Sequence, residues 1–415
     1  MQHLRRAWPG VPIVVGGLFL VELEKSVSAA QFQALLRTFG AEAYVVSALG
    51  EAALSRILER GPDGLEGLEL PATWIRAGRG YALCTEAEPG LPIDEHYVRW
   101  DELRPDGLYH AVHTRTARSC AFECAFCSYP ANQGALTLAA PETLERELEH
   151  MARSGVRSIV FTDDTFNVPM PRFRKLVDVL AKFDFRWYSY FRCQYADEDL
   201  VARMVDSGCA GAFLGFESLD DAVLKNMNKA ATYKSYARGT EVLKRHGVPC
   251  HANFIIGFPG DRPENAETMV RFVDDHGIEF YNATPWFCSP ATPIAAQKER
   301  FGIEGDYYRW RHDTMDSDQA VDLEDWAVCR AKESVWMSEL AGRNFWTELF
   351  LYANGLTAPE AQRAVRTFNR FVGRDRRASD AALDPEVAWL RRLLLEKRFP
   401  APAGAEAYRA QPEPA

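Results

Sequence analysis

From Tyr109 onward the chain alternates strand-like and helix-like stretches, and this alternation restricts its possible folds more than any other feature. Strand-like segments fall near 109–115, 157–162, 186–191, 211–216, 249–256 and 278–286. They are short apolar runs of the kind that fill a parallel sheet covered on both faces. The stretch near 141–153 sets Leu144, Leu148 and Met151 on one helical face, and the stretch near 171–182 does the same with Phe173, Leu176, Val177 and Leu180. Gly247 and Gly277 stand where helices are expected to end. About six strand-plus-helix units predict an α/β fold, a partial (β/α)6 barrel resembling a TIM barrel. Such barrels place their chemistry at the C-terminal ends of the strands.

The first of those strand ends leads into Arg118-Ser-Cys120-Ala-Phe-Glu-Cys124-Ala-Phe-Cys127, a Cys-x3-Cys-x2-Cys run. Three thiolates on one short loop can hold three corners of a cubane iron–sulfur cluster. The fourth iron is then left without a protein ligand, as a catalytic metal requires. A zinc knuckle needs four ligands and usually a second paired motif, and no second Cys-x2-Cys occurs; buried, metal-free cysteines are the remaining alternative. Cys84, Cys193, Cys209, Cys250, Cys288 and Cys329 are scattered along the chain and read as core residues. An odd total of nine cysteines does not form a disulfide framework and fits reduced thiols in the cytoplasm.

The motif, with an aromatic residue before its last cysteine, resembles the signature of the radical S-adenosylmethionine (SAM) superfamily, and the likeness runs from about 109 to 295. The resemblance implies a [4Fe–4S] cluster on Cys120, Cys124 and Cys127. It further implies that SAM chelates the open iron, that an electron from the reduced cluster splits it to a 5′-deoxyadenosyl radical, and that Phe126 lies near the adenine. It also implies an electron donor such as flavodoxin or ferredoxin.

Four further strand ends carry candidate SAM contacts. Phe161-Thr-Asp163-Asp164-Thr-Phe166 replaces the Gly-Gly-Glu of many members with paired carboxylates, either of which could instead cap the next helix. Tyr190-Phe-Arg192 offers a planar fork for the SAM carboxylate, or an ordinary ion pair. Gly215-Phe-Glu217-Ser218 resembles the family's Gly-x-Glu-Ser motif, which implies that Glu217 bonds the SAM ribose or amino group; a capping carboxylate is the alternative. In Ile256-Gly257-Phe-Pro259-Gly260-Asp261 the glycines permit close approach of the backbone, and the resemblance implies that this loop passes the adenine. Ser289-Pro-Ala-Thr292-Pro-Ile resembles a closing motif of the same subgroup.

Ahead of the barrel, residues 11–17 read as a buried parallel strand, 28–39 as a helix, 43–48 as a second strand and 51–59 as a second helix. This is part of a Rossmann-like sheet. With Gly16-Gly17 and Ser47-Ala-Leu-Gly50-Glu51 it resembles the second half of a cobalamin-binding domain, which implies a B12-dependent radical SAM methyltransferase. Arg115-Thr-Ala-Arg-Ser-Cys120 and Trp310-Arg-His312-Asp-Thr-Met315-Asp resemble the phosphinothricin-type P-methyltransferases, in which His312 would face the substrate or serve as a core or surface histidine. The implied reaction is methylation of an unactivated carbon or a phosphinate phosphorus. The alternatives are B12-independent modification of a peptide or small metabolite, and a non-catalytic metal-binding scaffold. A complete cobalamin domain needs about five parallel strands against the two seen here; either translation begins upstream of Met1 or the site is lost.

The expected organisation is a cobalamin-domain-like segment over 1–75, a connector over 76–108, the barrel over 109–298, a mainly helical region over 299–399 and a disordered tail over 400–415. Arg5 and Arg6 before the apolar run Val11–Val21 superficially resemble a signal peptide. Gly16-Gly17 interrupts that run and Glu22 and Glu24 follow it, as in a strand ending in a turn. No apolar stretch reaches membrane-spanning length. A net charge of −10 disfavours a nucleic-acid partner, and the expected substrate is a small molecule or peptide.

Overall fold

The computed structural model describes residues 1–61, 65, 68–86, 90–103, 111–337, 346–373, 385, 389 and 392. The expected tail at 400–415 lies outside them.

The N-terminal unit runs α1 (Gln2–Ala7), β1 (Val14–Gly16), α2 (Leu18–Ser26), α3 (Ala29–Phe39), β2 (Ala43–Val45), α4 (Glu51–Arg60), β3 (Thr73–Ala77) and β4 (Gly80–Leu83). Ser28 caps α3 reciprocally with Gln31, and Gly40, at φ 73°, ends it in the left-handed region. β1 and β2 pair in parallel, as expected, with Val14 opposite Ala43. Three expectations fail in this unit. β1 is only partly covered rather than buried, because β2 is its one sheet neighbour among the described residues. The continuous apolar run after Gly17 hid the helix α2. The stretch treated as connector from 76 instead continues the sheet, since the hairpin β3–β4 lies antiparallel to β2 and brings Trp74 opposite Tyr44.

The second unit begins with β5 (Ala111–Thr114), β6 (Ala117–Arg118), α5 (Tyr129–Gln133), β7 (Thr137–Leu138) and α6 (Pro141–Ser154). It continues with β8 (Ser158–Phe161), α7 (Met170–Leu180), β9 (Arg186–Tyr190), α8 (Glu198–Asp206), β10 (Cys209–Glu217), α9 (Asp221–Asn226) and α10 (Tyr233–Arg245). Next come β11 (Cys250–Ile256), α11 (Pro263–Asp275), β12 (Phe280–Pro285) and α12 (Lys298–Phe301). β5, β8, β9, β10, β11 and β12 lie side by side in chain order, all parallel, as the alternation predicts. Strand alternation divides the packing. Ile159, Phe161 and Trp187 meet the outer helices, whereas Val160, Tyr188 and Phe280 point into the barrel.

The last part is mainly helical among the described residues, as expected, but it also holds a small sheet. β13 (Glu304–Asp306), β14 (Arg309–His312) and β15 (Met315–Asp316) form an antiparallel sheet. They are followed by α13 (Ser317–Val328), β16 (Val335–Trp336), α14 (Trp346–Ala353) and α15 (Ala358–Gly373). β16 joins β12 as a seventh parallel strand. Leu349, Leu351 and Tyr352 of α14 and Val365 of α15 fill the barrel interior with Tyr188 and Phe280. Of the scattered cysteines, Cys193, Cys209, Cys250 and Cys288 are buried as expected, Cys84 is half-buried and Cys329 is exposed. No helix among the described residues is long and apolar enough to cross a membrane.

Candidate active site

The cysteine loop is gripped from two sides by its own backbone. Ala125 N–H donates to Met227 O at 2.8 Å, and Ala125 O accepts from Ile294 N–H at 3.0 Å. Asn228 Nδ2 donates to Glu123 O at 2.9 Å. Cys120, Cys124 and Cys127 all line one cavity of about 240 Å³ at the C-terminal ends of the strands. No three His, Cys, Asp or Glu side chains among the described residues converge on a single-ion site. Three thiols around a shared cavity fit a larger, sulfur-loving group such as a cubane cluster with one open corner. Burial, followed by the neighbouring Cys124, Asp164 and Cys120, pushes the Cys127 thiol up to about 11; a bound cation would reverse this.

Arg192 reaches the loop from the end of β9. Its guanidinium lies 3.4 Å above the Phe122 ring, donates to Lys229 O at 2.9 Å and stands 3.5 Å from Cys124 Sγ. Glu217 ends β10 just past a register shift at Gly215 and takes φ 65°, an unfavourable value for a side chain of this size. Its Oε1 accepts from Lys229 Nζ at 3.0 Å and its Oε2 from Asn253 Nδ2 at 2.9 Å. Sequence reasoning missed both partners. Their one signal was a polar Asn inside the otherwise apolar strand β11, and a Lys at the mouth of the loop that follows α9.

The paired aspartates separate. Asp164 lines the thiol cavity; burial, then the charge of Asp163, pushes it up to about 6. Asp163 does not line it. Its oxygens accept from Thr116 N–H and Oγ1 at 3.0 Å, so it ties this loop to the strand end before the cysteines. Ser218 likewise turns away, its Oγ accepting from Asp220 N–H at 3.1 Å. Gly257, at φ 85°, passes close to Trp310: a Cβ there would stand 2.5 Å from Trp310 Cη2. His312 stacks on Trp310 and its Nε2 meets Gly257 O at 2.9 Å, so it serves packing.

A second cavity of about 570 Å³ shares Phe126, Glu217 and Asn253 with the first and continues between Trp286, Trp310 and Tyr308. The N-terminal unit closes over this side. Glu22 of α2, which lines the second cavity, accepts from Ser128 Oγ at 2.5 Å. Glu51, the first residue of α4, pairs with Arg115 at 2.7 Å and Arg118 at 3.3 Å. The helices that follow β1 and β2 thus sit on the cysteine-loop side of the barrel.

Residues 114–273 match the model of the radical SAM superfamily. An uncharacterised methyltransferase of Pyrococcus horikoshii is 27% identical over 209 residues, covering 47% of this chain and 44% of that protein. The bacteriochlorophyllide d C-12(1)-methyltransferase of Chlorobaculum tepidum is 27% identical over 190 residues, covering 41% and 40%. The chain therefore spans less than half the length of these relatives. Among solved structures, the radical SAM methyltransferase TsrM of Kitasatospora setae, with cobalamin and a [4Fe–4S] cluster bound, superposes with a TM-score of 0.53 at 19% identity. That likeness, over 69% of this chain and 59% of TsrM, is one of fold.

Proposed function

We propose that this chain, which carries a radical SAM domain over residues 114–273, is a methyltransferase that uses a [4Fe–4S] cluster, SAM and cobalamin. The observation that carries the reading is that the three loop thiols line the same cavity as the Glu217–Lys229 pair. When bound, the cluster supplies the electron that divides SAM into methionine and a carbon radical. Cys120, Cys124 and Cys127 would hold it. The methionine end of SAM carries an ammonium and a carboxylate, and Glu217 and Lys229 present the opposite charges in a place screened from water. Phe126 stands between the two cavities, where a flat base can lie against it. Trp286 and Trp310 wall the larger cavity with apolar surface, which keeps water from a reactive intermediate.

Cobalamin enters the proposal through the N-terminal unit. Ligands of doubly wound sheets bind beyond the strand carboxyl ends, and the helices after β1 and β2 meet the barrel there. The methyl acceptor is an unactivated carbon or a phosphinate phosphorus. The residues that suggested phosphorus have structural duties: Arg115 and Arg118 bind Glu51, and Trp310 and His312 cover Gly257. One observation favours a B12-independent reaction instead: beyond β2 the sheet turns antiparallel at β3.

Anaerobic reconstitution should give about four irons per chain and dithionite-driven SAM cleavage. Replacing Cys120, Cys124 and Cys127 together by Ala should abolish both, and a full cluster in that variant would sink the assignment. Hydroxocobalamin titration, read from its visible spectrum, decides between the two reactions. Binding in proportion to the chain supports methyl transfer, and none favours the B12-independent reading.

A further inference from the structure

The cysteine loop has two accessible faces. Cys120 and Cys127 line the inner cavity and also a separate, open groove of about 790 Å³ on the outer side of the loop. The inner cavity is the reaction space and must exclude water, so an electron delivered by a protein has to come from outside. The groove leads directly to two of the three thiols.

Its lining has a distinct charge. Lys225, from α9, and Arg300, from α12, frame it, and Glu123 is the one carboxylate among its described lining residues. Both cations are exposed and neither makes an ion pair with the described residues. Ala121, Ala131, Gly134 and Ala135 form part of the floor and are exposed, so no long side chain shields this part of it. The floor is also rigid, being held by the Ala125 and Asn228 hydrogen bonds. The chain as a whole carries −10, so an acidic partner is repelled over most of the surface and drawn to this basic spot, which favours one docking orientation.

We infer that this groove is the docking surface for an acidic, low-potential, one-electron carrier protein, with Lys225 and Arg300 as its electrostatic anchors. The inference rests on the radical SAM reading above. In the transfer, the carrier loses one electron and the cluster held by Cys120, Cys124 and Cys127 gains it; no bond forms or breaks.

The test measures equilibrium binding of a purified acidic flavodoxin to the full-length, cluster-reconstituted protein. Wild type should bind, and more weakly as salt is raised. Lys225→Glu/Arg300→Glu should weaken binding about tenfold or more and lose flavodoxin-driven SAM cleavage, with iron content and dithionite-driven cleavage unchanged. Arg157→Glu/Lys182→Glu, at the opposite end of the barrel, should bind like wild type. Undiminished flavodoxin binding by the Lys225/Arg300 variant, or no binding by wild type, would overturn the docking surface alone. Failure of wild type to cleave SAM even with dithionite would overturn the parent reading, and this one with it.

Discussion

Lys229 Nζ stands 3.0 Å from Glu217 Oε1, with their side chains only 7% and 10% exposed. A pair so placed holds its charges for a ligand or for the fold, and the two roles separate experimentally. Lys229→Met leaves the Glu217 carboxylate without its cation, and breaking a buried pair from one side is strongly unfavourable. SAM affinity, measured by equilibrium binding, should fall about tenfold or more, and Lys229→Arg should recover part of it because the charge is kept. Unchanged affinity in Lys229→Met would return the pair to a structural role.

Gly239 lies inside α10, where the helix crosses the turn that follows Arg192. A Cβ there would stand 1.9 Å from Cys193 O, and backbone cannot yield by that much. Gly239→Ala raises helix propensity, so local preference alone predicts stabilisation. The contact predicts a loss of about 1–3 kcal/mol or more, read from denaturant unfolding, and weaker SAM binding as the Arg192 turn shifts. A more stable variant would show that the close approach is absent in solution.

His251 and Glu348 lock the C-terminal helices into the barrel. His251, fully buried on β11, meets Glu348 Oε2 of α14 through Nδ1 at 2.8 Å, and its Nε2 meets Asn282 Oδ1. Glu348→Leu strands His251 and should cost about 3–5 kcal/mol. The double variant His251→Phe/Glu348→Leu should be markedly more stable than the sum of the single effects predicts, because neither member of the pair is then left facing an apolar replacement, and only Asn282 Oδ1 loses its partner. Simple additivity would mean that the pair is not coupled.

Asp163 carries a pH signature. Burial pushes its carboxyl up to about 6 from an ordinary 3.8, against the opposing hydrogen bonds from Thr116. The folded state therefore keeps a proton that the unfolded chain has released, so stability is highest below the unfolded value and is lost as pH rises through about 6. Relative to Asp163→Asn, the wild type should lose about 2–3 kcal/mol across that window. Paired urea titrations at several pH values check this, and a flat difference would mean that folding does not raise the Asp163 pKa.

The sequence by itself determined what local chemistry can encode. Alternating apolar runs specify a parallel strand and its covering helix whatever lies around them, so β5 and β8 through β12 could be read in order. The spacing of Cys120, Cys124 and Cys127 fixes three donors on one loop because they are neighbours along the chain. What lies far apart in sequence had to wait for the fold. Adjacent Asp163 and Asp164 look equivalent in the chain, yet one is turned to Thr116 and the other to the thiols, since the end of β8 exposes only one of them to the cavity. That Trp310 packs against Gly257 cannot be read until the fold brings the two together. Lys229 and Glu217 become partners, as do His251 and Glu348, only when strand ends and distant helices meet. The hairpin β3–β4 escaped notice because its short strands take their meaning from pairing with β2, and pairing across a sheet is decided by tertiary contacts, not by the residues of either strand alone.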